Sequence, residues 1–169
     1  EIAFDKRYIF MHVWGSLISS RAVDGIMFDT GIFIGEDALF ICTGFSRVKS
    51  LYYTDAVLYD YRYSADSAFH SDVYSYKKDT DIAAWEKIGK LFEHCPKAYR
   101  YSKACIGVCA FKAAKRAARH SRSDDYKAFV RIMRKHLPCV ITFDLQPVAK
   151  FHYVLCCVFP YASAAVIKH

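Results

Sequence analysis

The sequence predicts an α/β layer over residues 1–74 followed by a mainly α-helical region over 75–169. Two patterns carry this reading. Ser50–Arg62 (SLYYTDAVLYDYR) sets Val57, Tyr59 and Tyr61 on one side and Leu58, Asp60 and Arg62 on the other, the period of a β-strand. From Asp79 the apolar residues recur at helical spacing instead, and the shift near Tyr74 marks the division. No internal repeat and no low-complexity tract interrupts either part.

Taken in order, Tyr8–Ile18 is apolar and β-prone and predicts a strand or extended segment. Ser19 or Ser20 can cap one short helical turn, Ser20–Asp24, stopped at Gly25. Next comes Phe28–Phe40, with Gly31 and Gly35 where the backbone must turn and an apolar wall of Ile32, Phe33, Ile34, Leu39 and Phe40. Glu36 and Asp37 open a helix predicted to run through Phe45. The segment Tyr63–Ser75 is small and polar and reads as a loop.

In the second part, Ile82, Trp85, Ile88 and Phe92 share a helical face, capped by Asp79 or Thr80 and ended by Pro96. A second helix starts near Ser102, with Cys105, Ile106, Cys109 and Phe111 inward and Lys112, Lys115, Arg116 and Arg119 outward. A third is capped by Ser123 and ends on Arg134, Lys135 and His136 before Pro138, so acidic and basic residues match the helix dipole at both ends. The tail, Val148–Ile167, is apolar, broken by Pro160 and flanked by Lys150, His152, Lys168 and His169. It fits a helix docked on the core or one lying on a membrane surface, possibilities the sequence leaves open.

Composition narrows the class. The 169 residues are 54% apolar and 24% charged, a globular balance that can fill one core with an appendage. Aromatics reach 17%, with 13 tyrosines, a residue type that suits clefts for ring-shaped polar ligands but also simply packs. The net charge of +7 and pI near 9.0 point to an anionic partner: nucleic acid, a phospholipid surface or a nucleotide-linked substrate. The seven cysteines lack paired or zinc-type spacing, so reduced and mostly buried thiols of a cytosolic protein are expected.

The acid pair has two readings. Carboxylates in a first helical turn are favoured by the dipole and the open N–H groups, which makes Glu36 and Asp37 ordinary helix-start residues. The functional reading stands one of them at the mouth of a cleft, ready to take a proton. Trp14 likewise packs or contacts a ligand, and the basic stretch Lys112–Arg119 is either a solvated face or a patch for anionic lipid. His70 alone does not make a metal site.

In order along the chain stand Trp14-Gly15-Ser16-Leu17, Phe28-Asp29, Gly35-Glu36-Asp37-Ala38-Leu39-Phe40 and Leu58-Tyr59-Asp60-Tyr61-Arg62 with Ser67. Together, over roughly 8–67, they resemble the second, acceptor-side half of the catalytic domain of family-2 inverting glycosyltransferases. That resemblance implies a partial GT-A-like, Rossmann-like layer ahead of the helical region. It implies transfer of a sugar from a nucleotide-diphosphate sugar to a hydroxyl of a saccharide or lipid-linked acceptor, in polysaccharide or cell-envelope glycan synthesis. Asp37 matches the catalytic base, while Glu36 and Trp14 match acceptor-side positions. Arg62 and Ser67 match a segment that closes over the donor diphosphate, where an arginine fork suits phosphate oxygens. A divalent metal, Mg or Mn, is implied for the complete enzyme, as is a cytoplasmic location, free or peripheral at the inner face of the plasma membrane, whose anionic surface would then be a partner.

Two departures accompany the resemblance. A basic residue often found in the family is replaced by Ser16. No strand–helix nucleotide-binding unit and no Asp-x-Asp motif precede Trp14, so most metal ligands would lie in an N-terminal half that this chain lacks, and the chain alone is expected to transfer no sugar. The competing classes are a basic nucleic-acid-binding module, which lacks any supporting motif, and a non-catalytic membrane-peripheral module built on the tail. Within the leading reading no nucleic-acid partner is expected.

Overall fold

In the computed structural model, the described residues are 12–52, 54, 56, 57, 59, 60, 62 and 75–168. They form seven α-helices: α1 (Ser20–Val23), α2 (Glu36–Phe45), α3 (Asp81–Leu91), α4 (Pro96–Arg119), α5 (Ser123–Ile141), α6 (Pro147–Val158) and α7 (Pro160–Lys168). A 3-10 turn, Tyr76–Asp79, leads into α3.

The architecture corrects the expected α/β class: no strand occurs among the described residues, so there is no Rossmann-like, GT-A-like sheet. No described residue of the predicted 8–18 strand or of 50–62 lies in a strand. The physical reason is that a strand exists only where a neighbour satisfies its N–H and C=O groups, and alternation in one segment cannot supply that neighbour. Tyr52 and Val57, within the predicted 50–62 strand, are 98% and 87% exposed.

The helical forecasts fared differently. α2 begins at Glu36 and ends at Phe45, and α1 ends ahead of Gly25, as the turn residues predicted. In α3, Trp85 and Ile88 are buried, with Ile82 and Phe92 packed beside them. Two prolines were misread. Pro96 does not end the preceding helix but occupies the first turn of α4, where its missing N–H costs nothing and its fixed φ is already helical. Pro138 lies inside α5 rather than beyond it. The last turn survives the lost hydrogen bond because Val140, on that turn, is buried in the core.

α4 is the axis of the fold. One apolar cluster joins its Cys105, Ile106 and Cys109 to Trp85 and Ile88 of α3 and to Ala38 and Cys42 of α2. A second joins its Ala110, Ala114 and Ala117 to Val130 and Met133 of α5 and Tyr153 of α6. The alanine face lets α5 approach closely, since small side chains shorten the distance between helix axes. The tail docks on this core. Tyr153 is fully buried and donates its hydroxyl hydrogen to the Met133 carbonyl at 2.8 Å. Tyr126 donates to the Pro160 carbonyl at 2.9 Å, and Arg134 Nε to the Cys157 carbonyl at 2.8 Å. Among the described residues no helix is long and apolar enough to cross a membrane. No disulfide joins any of the seven cysteines, and Cys42, Cys105, Cys109, Cys156 and Cys157 are buried.

His136 of α5 provides a pH-dependent term. Burial first, then Lys103 and Lys135, hold its pKa below the ordinary 6.5. The unfolded chain therefore takes up a proton near 6.5 while the folded chain resists until lower pH. The stabilisation is fully present above that value and is lost as pH falls through the folded-state pKa. We expect the urea midpoint to fall between about pH 7 and about pH 5.5 in the parent, with a shallower fall in His136→Gln. Equal slopes in the two proteins would show that His136 contributes nothing to this term.

Candidate functional site

The loop that precedes the acid pair is built rigidly. Asp29 accepts the Gly31 N–H at 3.0 Å and pairs with Lys87 of α3. The Lys87 ammonium and the Gly31 amide lower its pKa. Further along, Thr80 Oγ1 accepts the N–H groups of Phe33 and Ile34 at 3.0 and 2.9 Å and donates to the Lys77 carbonyl at 2.7 Å. The sequence marks Thr80 as a helix cap. Thr80 is indeed the N-cap of α3, but its hydroxyl makes no cap hydrogen bond to that helix and bolts the 33–34 backbone to its start. Gly35 then turns with φ 92°, and a Cβ there would lie 2.9 Å from Cβ of Ala84. Only glycine combines that left-handed conformation with so close an approach.

Behind Gly35, Glu36 and Asp37 occupy the first turn of α2, both partly buried, and neither caps the helix, whose N-cap is Gly35. Trp14 is 40% exposed and stacks between His12 and Tyr59, with ring centroids 4.6 and 5.3 Å away. Arg62 is exposed and lies in no strand, and Ser67 lies outside the described residues, as does His70. The structure thus fixes the acid pair, and no hydrogen bond or ion pair among the described residues joins it to Trp14 or Arg62.

Replacing Thr80 by valine leaves the Phe33 and Ile34 N–H groups without their acceptor, of which the Ile34 bond is partly buried. The cost is about 1–3 kcal/mol for an unpaired buried donor. We expect a melting temperature lower by about 2–12 °C in Thr80→Val and restored in Thr80→Ser. An unchanged melting temperature in the valine variant would remove the bolt from the account.

A second feature, missed in the sequence, opens beside this loop. Ile34, Lys78 and Asp81 form a cleft of about 310 Å³ with Lys112, Lys115, Arg116 and Arg119 of α4. The cations recur three and four residues apart, the spacing of a single helix face, which the sequence displays as an outward face. Arg116 is held by Asp79 and by the Lys78 carbonyl. Asp81 is buried, and burial raises its pKa, against the pull of Cys109, Lys112 and Arg116. Burial also pushes the adjacent Cys109 thiol well up. Asp79 Oδ2, Asp81 Oδ1 and Arg116 Nε are buried with no hydrogen-bond partner among the described residues. Each such group costs about 1–3 kcal/mol, so three at one place mark a cleft not optimised for stability alone.

No group of three or more His, Cys, Asp or Glu side chains gathers to hold a metal ion among the described residues. The implied divalent metal therefore finds no ligand set there, and no chemical step is drawn through one. No family model, curated protein or solved structure matches this chain.

Proposed function

We propose that this chain is the acceptor-side portion of an inverting glycosyltransferase, moving a sugar from a nucleotide-diphosphate sugar to a hydroxyl of a saccharide or lipid-linked acceptor. The observation that carries the reading is the acid pair. Glu36 and Asp37 open α2 behind a left-handed glycine, on a loop that Thr80 and Lys87 hold in place. Precise placement of a carboxylate is what a general base needs, because proton transfer requires hydrogen-bond reach to the attacking hydroxyl.

In this reading the acceptor oxygen bonds to the anomeric carbon while the bond from that carbon to the diphosphate oxygen breaks on the opposite face. The hydroxyl proton passes to Asp37, and the electron pair of the broken bond leaves with the diphosphate. Glu36 orients the acceptor. Arg62 is exposed and Ser67 lies outside the described residues, so the donor-side roles rest on the resemblance alone. Met27, Phe28 and Phe33, in the segment that leads to the acid pair, are exposed, as are Tyr52 and Val57. Such surfaces suit burial against a nucleotide-binding unit.

The test begins with the reading frame upstream of Glu1. A β-rich segment with an Asp-x-Asp motif there, and sugar transfer by the full gene product, are the expected results. A full gene product without such a segment, and inert with every nucleotide sugar, would overturn the proposal.

A further inference from the structure

The cationic face of α4 borders two depressions, not one. Beside the cleft described above lies a groove of about 230 Å³ between α4, α6 and α7, whose apolar lining includes Phe111, Leu155, Val166 and Ile167. Lys115 and Arg119 line both. The Lys115 ammonium lies 5.6 Å from the centroid of the Phe111 ring. The Lys115 charge thus sits over the aromatic lining of the groove while the same residue borders the cleft.

The charges choose the ligand's head. Five cations, Lys78, Lys112, Lys115, Arg116 and Arg119, line the cleft with one carboxylate, Asp81, and Arg116 is paired with Asp79. Among the described residues Lys112, Lys115 and Arg119 make no ion pair. Cations so placed suit a group with several anionic oxygens, which arginine forks and lysine point charges bind together. The groove chooses the rest. Val166 is 73% exposed on its rim, so the apolar lining opens to solvent beside the cations. A free phosphate would leave this groove empty, and an uncharged apolar molecule would leave the cations unused.

We propose that the two depressions form one site for a phosphate-bearing amphiphile, its head among Lys112, Lys115 and Arg119 and its apolar chain along Phe111, Leu155 and Val166. The site stands on the two hollows and not on sugar transfer. It is read by binding without turnover, so its failure leaves the acid-pair proposal intact, and the converse holds.

The probe is dioctanoyl phosphatidic acid below its micellar concentration, titrated calorimetrically into the protein. Expected is saturable binding at one site, about tenfold or more tighter than for dioctanoyl phosphatidylcholine or for inorganic pyrophosphate. Lys115→Gln with Arg119→Gln should weaken it at least about tenfold while the cooperative thermal transition is kept, since Arg119 is exposed, Lys115 is only half-buried and neither forms an ion pair among the described residues. Val166→Asp should weaken the lipid but not pyrophosphate. No saturable binding overturns the site. Pyrophosphate binding as tightly as the lipid, with Val166→Asp silent, reduces it to a plain phosphate cleft and overturns the amphiphile. Displacement of the lipid by single-stranded oligonucleotide, with steep salt dependence, would assign the cations to nucleic acid instead.

Discussion

Gly107→Leu should abolish the cooperative thermal transition. At this residue of α4 a Cβ would lie 2.6 Å from Cγ2 of Val140, 2.7 Å from the Tyr153 hydroxyl and 3.2 Å from Cβ of His136. None of these can yield cheaply. Val140 and Tyr153 are almost wholly buried, and the Tyr153 hydroxyl is tied to the Met133 carbonyl. Even alanine overpacks the site, at about 1–3 kcal/mol, of which its better helix propensity returns about 1 kcal/mol. Leucine adds three more carbons to a place with no room, against a total stability of about 5–15 kcal/mol. Circular dichroism melts of the two variants check this. A leucine variant that melts like the parent would show that α5 and α6 are not seated on α4 at this point.

How much of this was legible beforehand divides by the range of the forces involved. The start of α2 could be read because Gly35 and the two acids act within one turn, and the face of α3 because its period is local. Pro96 and Pro138 could not be placed from local rules. The same residue opens a helix or is tolerated inside one, depending on packing far along the chain. The 50–62 segment failed for a related reason: alternation describes a strand's two faces but says nothing of its neighbours. The candidate site splits the same way. Glu36 and Asp37 were found from their local setting, whereas the cleft needed Lys78 and Asp81 to meet Lys112 and Arg116 from another helix. The helical spacing of the four α4 cations was the one signal available.

On the proposed reading, Asp37→Asn in the full gene product should lower turnover by about 10²–10⁴-fold, the usual contribution of a general base. Asparagine keeps the size and a hydrogen-bonding oxygen but cannot accept the proton. The fold has little reason to respond, because Asp37 supplies no cap to α2 and forms no ion pair among the described residues. Donor affinity should stay near the parent's, since the substitution touches the acceptor side of the reaction. Glu36→Gln should raise the acceptor KM more than it lowers kcat, the signature of lost ground-state binding. The measurement is steady-state transfer with donor and acceptor varied separately, alongside a melting curve for each variant. A folded Asp37→Asn protein with parental turnover would return both acids to the role of helix-start residues.

The alanine seam along α4 also governs which parts of the molecule can open without the rest. Ala110, Ala113, Ala114 and Ala117 have no solvent exposure, and α4 is gripped by α3, α5 and α7 at once. Releasing its central amides to deuterium therefore means parting several helices together, an event as rare as complete unfolding. α1, a single turn resting on α2, has no such guard and can fray alone. Slow exchange should mark the middle of α4 as the last region to surrender its protons, while α1 exchanges from the native state.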